Sequence, residues 1–420
     1  MGIQIGRNWL TEFFFVVYLL LIFDVFTRLP IPFLYEISYF SFKALLIVFL
    51  LYYVFQIFKT KRVNKLFFIL LPIAFIPIIS ALKANQIYGQ SFWLGMSAER
   101  SKIDFVIPIL VVFLFERKYL SMVRIEKLIV KVSLIYLVAM LIINLFVNPE
   151  VFSNTNLVLS SQDKGVILKF SYYLVVFSFF YAYVKVLHER KFKYLTVIAA
   201  SLFIFVVFAK ARYLTVSIMI CALSHLIYLP FQKKVYFTVF GAIFVLVLTL
   251  VTTIFFPKEF ATVVELFISA FNVVLGGEVM DNSAASRITQ SEIAWQGIKE
   301  NPIFGTGLLS NRYQDGYLGM YNYFFPSDIG WLGSLFLYGI VGFMILKIPM
   351  LLGIFYKYPK PLKKDAFLIS MRLFLLFFFV HSIVASYDVN KIGMFLLVFG
   401  ILYCYRYQSI SNQAVGNETK

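Results

Sequence analysis

The sequence has 420 residues, 61% hydrophobic, 19% aromatic and only 14% charged, with a net charge of +17. That charged fraction excludes an ordinary soluble globule, and two cysteines set inside apolar runs, Cys221 and Cys404, exclude a disulfide framework or a cysteine-zinc site. Apolar stretches of roughly 18 residues or more, separated by short Lys/Arg clusters, point instead to a polytopic α-helical membrane protein; a membrane barrel would show short alternating strands.

In chain order, apolar runs fall near residues 9–26, 37–58, 66–82, 103–115, 128–147, 165–187, 194–209, 213–229, 236–256, 327–355, 366–384 and 391–405. They predict an all-α fold of about twelve transmembrane helices. The first run follows Arg7 and carries Glu12 and Asp24 with no small-residue cleavage site after it, so a retained span is expected. The fourth, "IDFVIPILVVFLF", is short for a crossing: it starts earlier, near Ser97, or lies tilted or partly re-entrant. The three histidines, His188, His225 and His381, are scattered along the chain and argue against a histidine metal cluster. Lys43, Lys131, Lys169, Lys347 and Arg372 lie in or near apolar runs. Charge there is costly and often functional, although Lys169 and Lys347, near span ends, can snorkel to the surface.

Loops such as "KTKRVNK", "ERKYLSMVRIEK", "HERKFK" and "KYPKPLKK" are far more basic than the alternate set, which includes "RLPIPFLYE" and "SYDVNK". The basic set is therefore expected in the cytoplasm with both termini. This divides the chain into transmembrane helices over 1–256, a large extracytoplasmic loop with short helices over 257–326, transmembrane helices over 327–405 and a cytoplasmic tail over 406–420.

The large loop is too rich in big apolar residues to be disordered. Its "EFATVVELFISAFNVVL" (259–275) predicts a helix at the membrane boundary or a short buried one. After Gly276-Gly277, Asp281, Asn282 or Ser283 can cap a second helix that runs to about Glu300, before Pro302. On it Arg287, Ser291 and Trp295 recur at i, i+4 and i+8, hence on one face. That face suits an anionic or sugar-bearing ligand; alternatively Trp295 packs the helix onto the membrane domain and Arg287 holds a carboxylate. The following "GTGLLS" lacks a third glycine and a preceding strand, so it reads as a tight turn and not as a phosphate loop.

Residues 286–342, with Arg287, Trp295, "NPIFGTG" and "FFPSDIGWLGSLFLYGIVG", resemble the signature region of the bacterial O-antigen polymerase and ligase superfamily. So does "FAKARYLTVSIM" (208–219), where the family has an arginine in a short outward turn, here Arg212. The resemblance implies a polytopic glycosyltransferase using polyprenyl-diphosphate-linked oligosaccharides on the outer face of the cytoplasmic membrane. Where ligases of the superfamily tend to carry a histidine near the end of the large loop, this sequence has Asp328, which resembles the capsule and exopolysaccharide polymerase branch.

A diphosphate leaving group needs charge stabilisation more than a general acid, and guanidinium groups bind phosphate oxygens bidentately. Arg212 and Arg287 are accordingly expected at the diphosphate, with no metal or cofactor. Asp328 is expected either as the base for the attacking hydroxyl or as the cap of a helix beginning at Ile329. Arg100 and Lys210 are second phosphate contacts, one pair among several outward cations that include Lys102; Trp295, Arg312 and Tyr323 of "YNYFF" are candidates for holding sugar or lipid. Expected partners are the lipid-linked glycan, the bilayer, and a flippase and chain-length regulator of the same pathway, with no nucleic acid. The alternatives are a ligase that transfers the glycan to another surface acceptor, and a transporter of lipid-linked oligosaccharide. The absence of an internal repeat disfavours transport.

Overall fold

A computed structural model describes residues 3–25, 32–61, 63–148, 158–161, 165–168, 170–209, 212–227, scattered positions from 229 to 264, 282–358 and 365–418. Helices dominate because long apolar segments in a bilayer must satisfy their backbone internally. In chain order they are α1 (Ile3–Ile22), α2 (Pro32–Thr60), α3 (Lys65–Tyr88), α4 (Phe92–Ala98), α5 (Val106–Glu116), α6 (Met122–Phe146), α7 (Tyr173–Glu189), α8 (Leu195–Phe203), α9 (Arg212–Ile227), α10 (Asn282–Glu300), α11 (Gly316–Tyr321), α12 (Gly330–Phe355), α13 (Ala366–His381) and α14 (Ile392–Glu418). Four segments are long and apolar enough to cross a membrane, Tyr39–Thr60, Lys65–Tyr88, Met122–Phe146 and Pro326–Phe355, and shorter apolar helices accompany them. The protein is a multi-pass membrane protein. The expected span at 236–256 and the expected helix at 259–275 lie largely outside the described residues.

One short strand pair accompanies the helices. Strands β1 (Val158–Ser161) and β2 (Gly165–Leu168) pair antiparallel, Val158 opposite Leu168. β2 occupies the start of the run read as a span from 165, and the helix there begins only at Tyr173. Val158, Val166 and Ile167 are β-branched and sit either side of the polar Gln162-Asp163-Lys164, which is a hairpin pattern that the apolar average of the run conceals.

The described chain forms two compact units. The first comprises Met1–Ile37, Leu120–Val279 and Pro359–Phe377. Its centre is α7, buried almost all round, with Phe177 and Phe180 packed on Phe374 and Phe377. Here α8 continues through a π-helical turn, Ile204–Phe208, and α9 begins at Arg212. Two of the histidines, scattered in sequence, meet in this unit: α7 and α9 bring His188 and His225 together, Nε2 to Nε2, at 3.1 Å. Their 37-residue separation in sequence conceals that both lie in the last turns of helices.

The second unit comprises Ser38–Tyr119, Met280–Tyr358 and Phe378–Lys420. α5 packs closely along α14, where Gly400 lets Pro108 approach so near that a Cβ would sit 2.8 Å from its Cα. The short fourth run, 103–115, is the end of a 3₁₀ turn at Arg100–Phe105 followed by the 11-residue α5, most of it buried, with α4 ahead of them. Eleven residues reach about 16 Å, roughly half the hydrocarbon thickness. α5 is thus an interior helix whose lead-in carries buried polar groups.

Candidate functional site

α10 begins at Asn282 and ends at Glu300, the bounds expected from its caps and Pro302. Its inward face, however, is set by Gln290 (2% exposed) and Ala294 (0%). Arg287, three residues before Gln290 and seven before Ala294, shares that side of the helix. Ser291 instead turns its hydroxyl back onto the carbonyl of Arg287 at 2.7 Å, and Trp295 is 52% exposed with the Lys299 ammonium 5.8 Å above its ring. The expected three-residue binding face is therefore divided: Arg287 is on the packed side and Trp295 on the open one. Trp295 does not anchor the helix in the core.

α10 packs against the 3₁₀ turn Pro326–Ile329, which carries Asp328. The joint is the Phe325 N–H, which donates to the buried Gln290 Oε1 at 2.9 Å. Asp328 is exposed, and its carboxylate accepts from its neighbour Ser327 Oγ at 3.3 Å. It does not cap α12: that helix starts at Gly330, its N-cap position is Ile329, and no side chain caps it. The capping expectation is corrected, and the carboxylate keeps an open side.

The turn bearing Asp328 rests on the segment after α13. The Ser386 N–H donates to the Ser327 carbonyl at 2.8 Å, the Trp331 N–H to the Ile383 carbonyl at 3.3 Å, and the Trp331 indole N–H to Ser382 Oγ at 2.8 Å. His381, at the end of α13, shares a 2.7 Å hydrogen bond between its Nδ1 and the Tyr387 hydroxyl, and the positive charges of Arg287 and Lys391 both bear on it. Arg287, the Asp328 turn and the His381–Tyr387 pair thus belong to one corner of this unit.

The Pro302–Gly307 turn that follows α10 is built into α12. Gly339 leaves helical geometry (φ 60°, ψ −173°), which opens the helical bonds from Ile340 N–H to Phe336 O and from Val341 N–H to Leu337 O. The turn replaces them. Thr306 N–H reaches Phe336 O (2.8 Å), Gly307 N–H reaches Leu337 O (2.9 Å), Ile340 N–H reaches Pro302 O (2.9 Å) and Val341 N–H reaches Ile303 O (3.2 Å). Non-helical backbone within a membrane segment is tolerated where protein completes its hydrogen bonds. The buried Tyr317 hydroxyl donates to the Gly307 carbonyl, and burial pushes its phenol well above the usual tyrosine range, so it remains a donor.

Buried charge surrounds this arrangement, and two expectations fall to it. Lys102, read as an outward surface cation, is 1% exposed and pairs with Glu99 at 2.8 Å; on a 3₁₀ turn, residues three apart eclipse, which aligns the two. Lys347, read as free to snorkel, is 2% exposed and pairs at 2.8 Å with Asp388, which also accepts from Ser334 Oγ at 2.6 Å. Neither pair was found by sequence reasoning. The only signal was the "ERSK" spacing, since Lys347 and Asp388 are 41 residues apart.

The remaining expected residues are placed as follows. Arg212 is the first residue of α9, but its side chain lies outside the described residues, as does the whole of Lys210. Arg100 is exposed and stacks its guanidinium 5.8 Å over Tyr39. Arg312 is exposed beside Ser310, whose Oγ accepts its backbone N–H at 3.3 Å. Tyr323 is 57% exposed and meets Phe325 edge to face at 5.3 Å, next to the Gln290 joint.

A multi-pass membrane protein with an arginine-bearing helix docked beside an uncapped carboxylate is the class that fold and site define. Residues 179–346 match the family model described as O-antigen ligase. That match supports a likeness of this part of the chain to the O-antigen polymerase and ligase superfamily; the matched segment takes in Arg212, Arg287 and Asp328. No curated protein and no solved structure matches the chain.

Proposed function

We propose that the protein polymerises polyprenyl-diphosphate-linked oligosaccharide units on the outer face of the cytoplasmic membrane. A sugar hydroxyl of one unit attacks the anomeric carbon of the other. The new C–O bond forms as the bond to the diphosphate breaks; the diphosphate leaves with the electron pair, and the hydroxyl proton passes to Asp328. Arg287 and Arg212 balance the charge that accumulates on the departing oxygens, so the charge stabilisation comes from guanidinium groups and not from a metal. The observation that carries this reading is the Gln290–Phe325 joint, which sets Arg287 and the open carboxylate of Asp328 on adjoining turns. Tyr323, exposed beside that joint, and Trp295, exposed on α10, offer aromatic surface to sugar rings. Arg100 and Lys210 are further contacts for anionic groups. A flippase and a chain-length regulator would work with the protein in the same pathway.

A ligase is the second reading, favoured by the description of the matching family. It uses the same donor chemistry and differs in acceptor. Both readings predict that Arg287→Ala or Arg212→Ala lowers glycan transfer by about 10²–10³-fold while the protein stays in the membrane. Asp328→Asn should lower it by about 10²–10⁴-fold. Product analysis in cells lacking the native gene checks this; undiminished product from both arginine variants would refute the assignment.

A further inference from the structure

Glu99 is buried (1% exposed) and links the residue after the inserted turn to the residue before the break in α12. Its Oε1 accepts from Ser80 Oγ at 2.6 Å, and Ser80 Oγ in turn accepts the Leu308 N–H at 2.9 Å, immediately after the Pro302–Gly307 turn. Its Oε2 pairs with Lys102 at 2.8 Å and accepts from the Tyr338 hydroxyl at 3.3 Å; Tyr338 directly precedes Gly339, where α12 opens. Lys102 completes the cluster by donating to the Tyr338 hydroxyl (3.0 Å) and to the Val389 carbonyl (3.2 Å). One carboxylate therefore ties the exit of the inserted turn to the helix that receives it.

The turn continues directly from α10. Its seat in α12 fixes how far α10 extends along α12, and hence where Arg287 stands, roughly three and a half helical turns back from Glu300 at about 3.6 residues per turn. Along that length Gly297 allows Phe336 so close that a Cβ would lie 2.4 Å from the ring, so α10 lies directly against α12 there.

We propose that Glu99, through Ser80 and Tyr338, is a positioning residue that sets Arg287 for the departing diphosphate. This rests on the reading of Arg287 given above. Ser80→Ala and Tyr338→Phe each remove one arm and leave the Glu99–Lys102 pair in place; Glu99→Gln weakens the centre. Turnover and KM are measured on purified protein with a polyprenyl-diphosphate oligosaccharide, alone and combined with Arg287→Lys, with thermal midpoints taken in detergent. Displacements of about 1 Å can cost about 100-fold in rate, so each arm variant should lower turnover by about 10–100-fold with little change in KM. The loss should largely vanish in the Arg287→Lys background, because coupled residues do not add. Wild-type turnover in both arm variants, or an equal loss in both backgrounds, would overturn the positioning role. Undiminished turnover in Arg287→Ala would instead remove the diphosphate reading, whatever the arms do.

Discussion

Lys347 and Asp388 show how a single residue acquires its meaning from a partner far along the chain. A lone lysine in an apolar run extends its stem to the nearest water, but Lys347 is 2% exposed and is held by Asp388 at 2.8 Å, with Ser382 Oγ at 3.4 Å. Breaking a buried pair leaves one uncompensated charge and costs about 3–5 kcal/mol, whereas replacing both partners by apolar residues can be neutral. Lys347→Met should therefore sharply lower the thermal midpoint of the detergent-solubilised protein, and Lys347→Met with Asp388→Leu should restore much of it. Equal losses from the single and the double variant would show that the pair is not the stabilising unit. Arg287 stands out in the sequence by its place on the polar helix before Pro302, and both it and Asp328 by the superfamily resemblance over 286–342. The split of the α10 face could not: it follows from Gln290 reaching Phe325, 35 residues away.

At the scale of elements, the largest departure from expectation is the seat of "NPIFGTG". The glycines were readable as a turn, and the limits of α10 followed from its caps and Pro302. That the turn would supply hydrogen bonds to a broken α12 was not legible, because "LYGIVG" has the same apolar average as an unbroken helix. Gly307 sits at φ +80°, and a Cβ on it would fall 2.2 Å from the Ser80 carbonyl oxygen and 2.6 Å from the Ala84 nitrogen; a Cβ on Gly241 would meet nothing within 4 Å. Gly307→Ala is expected to unseat the turn and lower the melting temperature by several degrees, since left-handed backbone and a backbone clash combine. Gly241→Ala is expected to leave the melting temperature unchanged or slightly higher. Thermal unfolding in detergent compares the two, and equal effects would contradict the close approach at Gly307. The strand pair Val158–Ser161 and Gly165–Leu168 was not legible for a related reason: hydropathy averages do not distinguish a short β-branched pair from the first turns of a span.

For the whole molecule, composition alone was enough to identify a multi-pass helical membrane protein, and the order of motifs along the chain was enough to suggest the superfamily that residues 179–346 match. The acceptor was not legible, since donor chemistry is common to polymerases and ligases and the acceptor need not leave a local motif. The most direct test is to incubate the purified protein, reconstituted in vesicles, with one defined polyprenyl-diphosphate-linked oligosaccharide and no other acceptor. A ladder of products at multiples of the repeat unit, with release of polyprenyl diphosphate that is lost in Arg287→Ala, is the predicted result. No glycan joining, with the lipid-linked oligosaccharide crossing the vesicle membrane instead, would contradict the polymerase reading and favour transport.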